Sequence, residues 1–337
     1  MTALLSAFVV AGNGVVVFHV LGLPLPWLLG PILACLLAAL LGVPMGGIKP
    51  LNDAMRTILG VAVGATFTSA ILTSMVGMWP TLILIPLMIG CIGLIGVPYF
   101  SRLWGLDAPT AYYSAMPGGL QDMLLFGEEA GGNVRALSLI HATRVMVIVV
   151  SLPFILDWFW EVDLTNPPGD PASSIHPAQL ALMVFCSLGG WWAAKRVGMF
   201  GASILGPLLF AAFFALVGVL QHRPPAEAVW AAQFFIGMGV GTKYAGVTLL
   251  EVRNYVAAAL GFCVILLVLA FVFAEFVVLM ELAPPLETIL SFAPGGQAEM
   301  TVLALVVGAD MAFVVAHHVL RIFTVILGAP LFAKLTK

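Results

Sequence analysis

The chain has 337 residues, of which 62% are hydrophobic and 9% charged, with a net charge of −3 and a mean hydropathy of +1.12. A soluble domain carries about 25% charged residues. A chain with so few charges cannot cover a water-facing surface, so we expect it in a lipid bilayer. The small net charge and the lack of a basic cluster argue against nucleic acid as a partner.

Apolar runs in the first half are each long enough to cross a bilayer, which takes about 20 residues for a helix. They lie at residues 3–21, 24–43, 54–76, 79–100 and 134–157. The first run begins without a basic segment, which is typical of a retained helix rather than a cleaved signal peptide. Between the last two runs, the segment 108–130 is interrupted by Pro-Gly-Gly and carries several polar residues.

The second half has the same layout. Its apolar runs lie at 177–194, 201–220, 227–250, 254–281 and 311–333, and its broken segment at 286–308. The stretch 161–176 is polar and rich in proline and acidic residues, which indicates a linker. We therefore predict a first transmembrane repeat at 1–160, a linker at 161–176 and a second repeat at 177–337.

Short motifs confirm that one half is a copy of the other. The segment Met116–Met123 returns as Ala293–Met300, and the offset (116 to 293) is 177 residues. The same offset relates His141 and Arg144 to His318 and Arg321. Internal duplication of this kind is common in secondary transporters.

The distribution of Lys and Arg favours one topology. If each broken segment enters and leaves the membrane on one side, a single face collects Lys49, Arg56, Arg102, Arg135, Lys195, Arg196, Lys243, Arg253, Lys334 and Lys337. The other face then has Arg223, whereas segments that cross would give six residues against five. Because cytoplasmic loops are rich in Lys and Arg, we predict hairpins. Each half then has five spans and one re-entrant hairpin, both termini are cytoplasmic, and the repeats are inverted.

The Pro-Gly-Gly segments are the first candidate binding elements. Proline removes a backbone N–H and glycine permits positive φ, so each segment interrupts its helix. Freed backbone groups are tolerated at membrane depth where they face protein or a water-filled cavity, and a restarting helix presents its N–H groups to an anion. The predicted substrate-binding residues here are Pro117, Gly118, Gly119, Gln121, Pro294, Gly295, Gly296 and Gln297. The alternative is a tight turn in which Asp122 and Glu299 are first-turn caps.

The repeated His-Arg pairs are the second set of candidate binding elements. Residues three apart share a helix face, and an arginine at mid-membrane should face the protein interior. We expect Arg144 and Arg321 to bind substrate and to pair with an acidic residue, for which Asp122 and Glu299 are the natural candidates. The predicted proton-coupling residues are His141, His318, Asp122 and Glu299, since histidine can carry a proton near neutral pH. The alternative is that each arginine pins its hairpin by bonding the acidic residue or the backbone carbonyls.

Other sequence features predict packing. The Gly60–Gly64 segment and its copy Gly237–Gly241 should let helices approach closely. His317 has no counterpart in the first half and is interpreted as a packing residue. The four cysteines lie in apolar runs without metal-like spacing, so we predict neither a metal nor a cofactor.

Three elements carry a family resemblance: P-W-L-L-G-P-I-L-A (26–34), A-M-P-G-G-L-Q-D-M (115–123) and A-P-G-G-Q-A-E-M (293–300). They resemble the AbrB-duplication membrane family, whose members have also been labelled ammonia monooxygenases or AbrB regulators. The resemblance covers nearly the whole chain. It implies a duplicated hydrophobic region.

The leading functional prediction is a secondary transporter of the bacterial inner membrane, with its site between the two broken hairpins. Two arginines and two helix N-termini favour an anionic or carboxylate-bearing solute, while transport of a cation or amine with the acidic residues as ligands stays open. No G-x-x-x-x-G-K-[ST] motif is present, so an ion gradient would supply the energy. An intramembrane monooxygenase and a membrane protein that affects gene expression remain the alternatives. The predicted partners are the solute and the lipid bilayer, and a homo-oligomer stays open.

Overall fold

A computed structural model describes residues 2–69, 77–160, 164, 169–199 and 201–335. For Gln121 and for residues 329–335 it describes the backbone but not the side chains. Every regular element in these ranges is helical.

Most helices in the first half lie close to the predicted runs. The exception is the run predicted at 54–76, because its helix spans Lys49–Gly64, residues 65–68 are not helical, and residues 70–76 lie outside the described part of the chain. The helices of this half are α1 (Thr2–Val20), α2 (Pro26–Leu40), α3 (Lys49–Gly64), α4 (Trp79–Leu103), α5 (Ala108–Ala115), α6 (Leu120–Glu129) and α7 (Val134–Trp160). Helix α4 is irregular at Ile83 and ends in a π-turn, Tyr99–Leu103.

Helices in the second half repeat this order. They are α8 (Pro177–Arg196), α9 (Ala202–Leu216), α10 (Ala226–Gly241), α11 (Leu249–Leu279), α12 (Pro285–Phe292), α13 (Gln297–Val306) and α14 (Met311–Leu335). Short 3₁₀ turns lie at Ala172–Ser174 and Thr242–Tyr244.

Five of the described helices are long and apolar enough to cross a membrane, by length and composition. They are α1, α4, α7, α11 and the part of α14 from Met311 to Gly328. Large apolar side chains such as Leu94, Val268 and Leu327 point away from the protein and are 79%, 57% and 70% exposed. Exposed leucine and valine along such helices are typical of lipid-facing surfaces. An all-helical protein of membrane type, predicted from composition, is therefore confirmed at this level.

The chain forms two compact units, and each combines segments from both sequence halves. The first unit contains Met1–Val76, Pro153–Gly246 and Ala298–Ala312. Its most extensive helix contact is that of α3 with α9. A Cβ at Gly60 would meet the carbonyl of Ile204, and one at Gly64 the carbonyl of Leu208. The two glycines therefore permit a backbone approach that no other residue allows.

The copy of this contact lies in the same unit, between α10 and α2. A Cβ at Gly237 would lie 2.5 Å from the carbonyl oxygen of Leu28, and one at Gly241 would lie 2.6 Å from that of Ile32. The close approach predicted from both glycine segments is confirmed. Each contact joins a helix of one half to a helix of the other, so the unit cannot form from one half alone.

The second unit contains Gly77–Leu152, Val247–Gln297 and Phe313–Lys337. Its core packs α4, α5 and α11 through residues such as Met88, Phe100 and Phe262, which are almost fully buried. Both Pro-Gly-Gly segments and both His-Arg pairs belong to this unit. The candidate site can therefore be described within one body.

Candidate functional site

The first break, residues 116–119, separates α5 from α6 and is held by two side chains of α7. Arg144 donates from Nη1 to the carbonyl of Met116 at 3.1 Å and from Nη2 to that of Gly118 at 3.0 Å. His141, one turn earlier, donates from Nε2 to the carbonyl of Tyr113 at 2.9 Å. We call this set of contacts the first clamp.

The second break, residues 293–296, is held in the same way by α14. Arg321 donates to the carbonyl of Ala293 at 2.9 Å and to that of Gly295 at 2.7 Å. His318 donates from Nε2 to the carbonyl of Leu290 at 2.9 Å. Every partner is displaced by 177 residues from its counterpart in the first clamp, so the duplication extends to individual hydrogen bonds. We call this set the second clamp.

Proline explains why histidine is needed. In an unbroken helix the N–H of residue 117 would donate to the carbonyl of Tyr113, four residues earlier. Pro117 has no N–H, so His141 supplies the missing donor. Pro294 frees the carbonyl of Leu290 in the same way, and His318 satisfies it. The carbonyls within each break also lack helical partners, and the planar guanidinium presents two parallel donors to them.

Both arginines are buried cations without an acidic partner. Arg144 and Arg321 are each 2% exposed, and no carboxylate lies within 4 Å of either in the described part of the chain. The expected ion pairs with Asp122 and Glu299 are therefore wrong, and each arginine instead holds its break through the backbone carbonyls. The physical reason is that the carbonyls of a break lack helical N–H partners and lie 2.7–3.1 Å from the guanidinium nitrogens that donate to them.

The remaining predicted residues lie in or just after the breaks. The breaks contain Pro117, Gly118, Gly119, Pro294, Gly295 and Gly296. Asp122, in the first turn of α6, and Gln297, which begins α13, are half-buried. Glu299 is 4% exposed and belongs to the first unit, which sets it apart from Asp122. The side chain of Gln121 lies outside the described atoms.

The first broken segment folds back on itself. The amide of Asn133, just after α6, donates to Oγ1 of Thr110, at the start of α5, at 2.8 Å. A Cβ at Gly127 of α6 would lie 3.6 Å from Cβ of Tyr113 in α5. A continuous helix of this length would separate residues 110 and 133 by roughly 35 Å. The two ends of the segment therefore meet.

A matched pair of caps begins the two helices that carry the clamps. Oδ1 of Asn133 accepts from the amide of Ala136 at 3.0 Å, and Oδ1 of Asp310 accepts from the amide of Ala312 at 2.9 Å. Side-chain acceptors of this kind satisfy free N–H groups at helix starts. Both clamps thus begin from a fixed helix end.

Both clamps lie within the second unit. The guanidinium groups of Arg144 and Arg321 interact electrostatically with one another. The buried thiol of Cys263 on α11 is within electrostatic range of Arg144. The unit therefore concentrates two positive charges in its interior.

Two serines were missed by the sequence analysis. Ser114 and Ser291 are fully buried, and neither hydroxyl has a hydrogen-bond partner among the described residues. They are 177 residues apart, so the repeat offset was the signal that could have found them. Each lies between the carbonyl held by the histidine and the first carbonyl held by the arginine.

His317 distinguishes the second clamp from the first. Its Nδ1 donates to the carbonyl of Phe313 at 2.8 Å, and its Nε2 lies 2.9 Å from the hydroxyl of Thr81. Its ring also packs against Phe292 and Phe313, with centroids 5.8 and 4.1 Å away. These contacts support its interpretation as a packing residue. In the described ranges, no group of three or more His, Cys, Asp or Glu side chains could hold a metal ion.

The fold and the clamps define a class of protein: an all-helical, membrane-type chain with a duplicated helix–break–helix element held by a buried arginine. The sequence profile of the family described as transition state regulatory protein AbrB matches residues 27–337, and the chain belongs to this family. The resemblance inferred from the Pro-Gly-Gly elements is thereby confirmed.

Two relatives cover nearly the full chain. It is 26% identical, over an alignment of 356 positions, to "Uncharacterized protein YhjN" of Bacillus subtilis (strain 168), and the alignment spans 97% of this chain and 91% of that protein. It is 23% identical over 332 aligned residues to "Putative regulator AbrB" of Escherichia coli (strain K12), spanning 94% and 91%. Both alignments include the two breaks.

Proposed function

We propose that this protein is a secondary transporter of the bacterial inner membrane that carries a small anionic or carboxylate-bearing solute. The observation that carries the proposal is the pair of buried guanidinium groups, each of which holds a broken helix and lacks a carboxylate partner. The solute site consists of the two breaks with Arg144 and Arg321.

Charge supports an anionic solute. An unpaired buried cation is costly, and the cost falls when an anion binds beside it. Carbonyl groups stabilise a guanidinium through their dipoles but do not neutralise it. Each arginine uses two N–H groups on Nη1 and Nη2 for its carbonyls, and the buried Nε–H has no partner in the described part of the chain. The Nε–H donor is available to an oxyanion.

The proposed topology has ten spans, two re-entrant hairpins and inverted repeats, with both termini cytoplasmic. The meeting of residues 110 and 133 supports a hairpin for the first broken segment. The excess of Lys and Arg on one face supports the orientation. Five spans per half is an odd number, so the second half has the opposite orientation to the first.

Proton coupling completes the proposal. Asp122 and Glu299 follow the two breaks by one turn, and His141 and His318 bind the breaks directly. A carboxyl or imidazole at these positions can take up or release a proton when the solute enters or leaves the break. The name of the E. coli relative describes a regulator, and a transported solute offers an indirect route to such an effect.

Transport currents test the proposal. Proteoliposomes on a solid-supported membrane are challenged with concentration jumps of succinate, sulfate, acetate and amino acids, with and without a pH gradient. We expect a saturable current for at least one anion, and its loss in Arg144→Gln and in Arg321→Gln.

Arg135→Gln is the matched control, because Arg135 lies on the same helix as Arg144 but forms an exposed ion pair with Glu251 at 2.6 Å. Size-exclusion profiles show whether each variant is folded. Undiminished currents in folded Arg144→Gln and Arg321→Gln would show that the arginines are not part of the solute site. An absence of current with every anion would contradict the proposed solute class.

A further inference from the structure

The unpartnered hydroxyls of Ser114 and Ser291 are unusual for serines inside helices. Helical Ser and Thr side chains ordinarily donate to the carbonyl four residues earlier. In the second unit, the hydroxyls of Ser101, Ser151 and Thr324 make this bond to their i−4 carbonyls at 2.7–2.9 Å. Ser114 and Ser291 are fully buried and do not make this bond.

An unpaired hydroxyl in a protein interior is unfavourable, and the same exception has been kept in both copies of the repeat. The two positions carry the same residue type, the same burial and the same lack of a partner. Packing gives no reason for a hydroxyl there, since alanine would fill nearly the same volume. A ligand that accepts a hydrogen bond from the hydroxyl does give one.

The serines lie within the clamps. The carbonyl of Tyr113 precedes Ser114 and is bound by His141, and the carbonyl of Met116 follows and is bound by Arg144. Ser291 has the same flanking contacts with His318 and Arg321. Each hydroxyl is therefore fixed on a short helical turn anchored at both ends.

The charge of this region sets the charge of the ligand. Arg144 and Arg321 interact electrostatically, and no carboxylate lies within 4 Å of either among the described residues. A monoanion would leave one buried positive charge uncompensated, whereas a dianion leaves none. His318 donates from Nε2 to a carbonyl, so the other ring nitrogen of its neutral form is an acceptor that can bind a ligand hydroxyl.

We propose that Ser114 and Ser291 are ligand-binding residues and that, together with Nε–H of Arg144 and of Arg321, they bind a small dianion whose charges lie on oxygen atoms. A dicarboxylate and an inorganic dianion such as sulfate share this chemistry. The inference rests on the proposed function, because it takes the two breaks as the solute site. It adds the charge of the solute and two specificity-determining residues.

Ligand-induced thermal stabilisation tests it. Purified full-length protein in detergent is heated with increasing succinate or sulfate, and with acetate or chloride at matched ionic strength. Because a ligand that binds the folded state raises its melting temperature, we expect a saturable rise with at least one dianion and a smaller rise with the monoanions. The arms with succinate and sulfate distinguish the two kinds of dianion.

Ser114→Ala and Ser291→Ala should each weaken dianion binding by roughly tenfold, the loss of one hydrogen bond to a charged group. Ser151→Ala is the matched control, because its hydroxyl is already bonded to the carbonyl of Val147, and it should bind as the wild type does. Without anion, Ser114→Ala and Ser291→Ala should melt no lower than the wild type, since each removes an unpaired buried hydroxyl. If the serine had a structural role alone, its replacement would lower both the melting temperature without anion and the affinity for the dianion.

The outcomes separate the two proposals. Wild-type affinity in both serine variants, with binding lost in Arg144→Gln and Arg321→Gln, would overturn the role of the serines and leave the arginine site standing. Equal stabilisation by acetate and succinate would overturn the proposal that the ligand is a dianion. No saturable rise with any of the four anions, or unchanged binding in the folded arginine variants, would overturn the site itself.

Discussion

The two clamps use the same atoms to hold their breaks, while the residues around them have diverged. Arginine and histidine bind corresponding carbonyls in both halves, at 2.7–3.1 Å. Next to the breaks, Leu120 corresponds to Gln297, and Ile140 to His317. The arginine and histidine of a clamp cannot be replaced freely, because the loss of either side chain leaves buried carbonyls unpaired. The neighbouring positions carry no such constraint, so they can make the two halves functionally different.

The largest expected effect is that of removing either arginine. Arg144→Gln or Arg321→Gln leaves two break carbonyls without their donors, and each buried polar group left unpaired costs roughly 1–3 kcal/mol. We expect a loss of about 3 kcal/mol in the free energy of unfolding in each case, measured by thermal and denaturant unfolding followed by tryptophan fluorescence. Equal losses would show that the clamps are equivalent in stability. A variant that unfolds like the wild type would contradict the bonding described for that break.

The second effect tests why histidine accompanies proline. His141→Leu removes the donor to the carbonyl of Tyr113 and should cost about 2 kcal/mol. Adding Pro117→Ala restores a backbone N–H at that position, so the double variant should recover about 1 kcal/mol relative to the sum of the single changes. The cycle of His318→Leu with Pro294→Ala repeats the measurement in the second half. Strict additivity in both cycles would refute the link between proline and histidine.

A third substitution affects one half and should sharpen the difference between them. His317→Leu loses the contact with the Thr81 hydroxyl and should cost about 1 kcal/mol. Its first-half counterpart, Ile140→Leu, conserves volume and should stay within about 1.5 kcal/mol of the wild type. If both variants unfold alike under the same conditions, His317 contributes nothing specific to the second clamp.

The smallest expected effect concerns charge at the surface. Arg135 is 44% exposed and pairs with Glu251, which also accepts from the amide of Thr248 at 2.8 Å. Arg135→Gln should change stability by less than about 1 kcal/mol, because water screens an exposed pair. The difference should shrink further in 1 M salt. A loss as large as that of Arg144→Gln would mean that the buried location of Arg144 is not what makes it important.

The repeat offset made much of this arrangement predictable from the sequence. The offset relates both breaks, both His-Arg pairs and the close-packed glycine segments. The hydrogen-bond acceptors of the two arginines could not be predicted, since carbonyl and carboxylate groups both lie within a few residues of each break. Distances decide between them, and the sequence contains no distances. Ser114 and Ser291 were overlooked because serine in a helix ordinarily bonds its own backbone.

The compact units show a second gap between sequence and structure. The sequence halves are contiguous, at 1–160 and 177–337, whereas each compact unit takes segments from both. The contacts of α3 with α9 and of α10 with α2 explain this for the first unit, because each pairs helices of different halves. A repeat boundary is visible in the residues, but the interleaving of the repeats depends on which faces pack together.

The central claim is that the two halves present equivalent breaks from opposite sides of the membrane. Single cysteines test it most directly, on a background in which Cys35, Cys91, Cys186 and Cys263 are replaced by alanine. Ala130→Cys probes the end of the first broken segment and Pro284→Cys the start of the second, and both positions are exposed. A membrane-impermeant maleimide added to intact cells should label Pro284→Cys and spare Ala130→Cys, with the reverse in inside-out vesicles. Labelling of both cysteines from the same side would contradict the inverted arrangement.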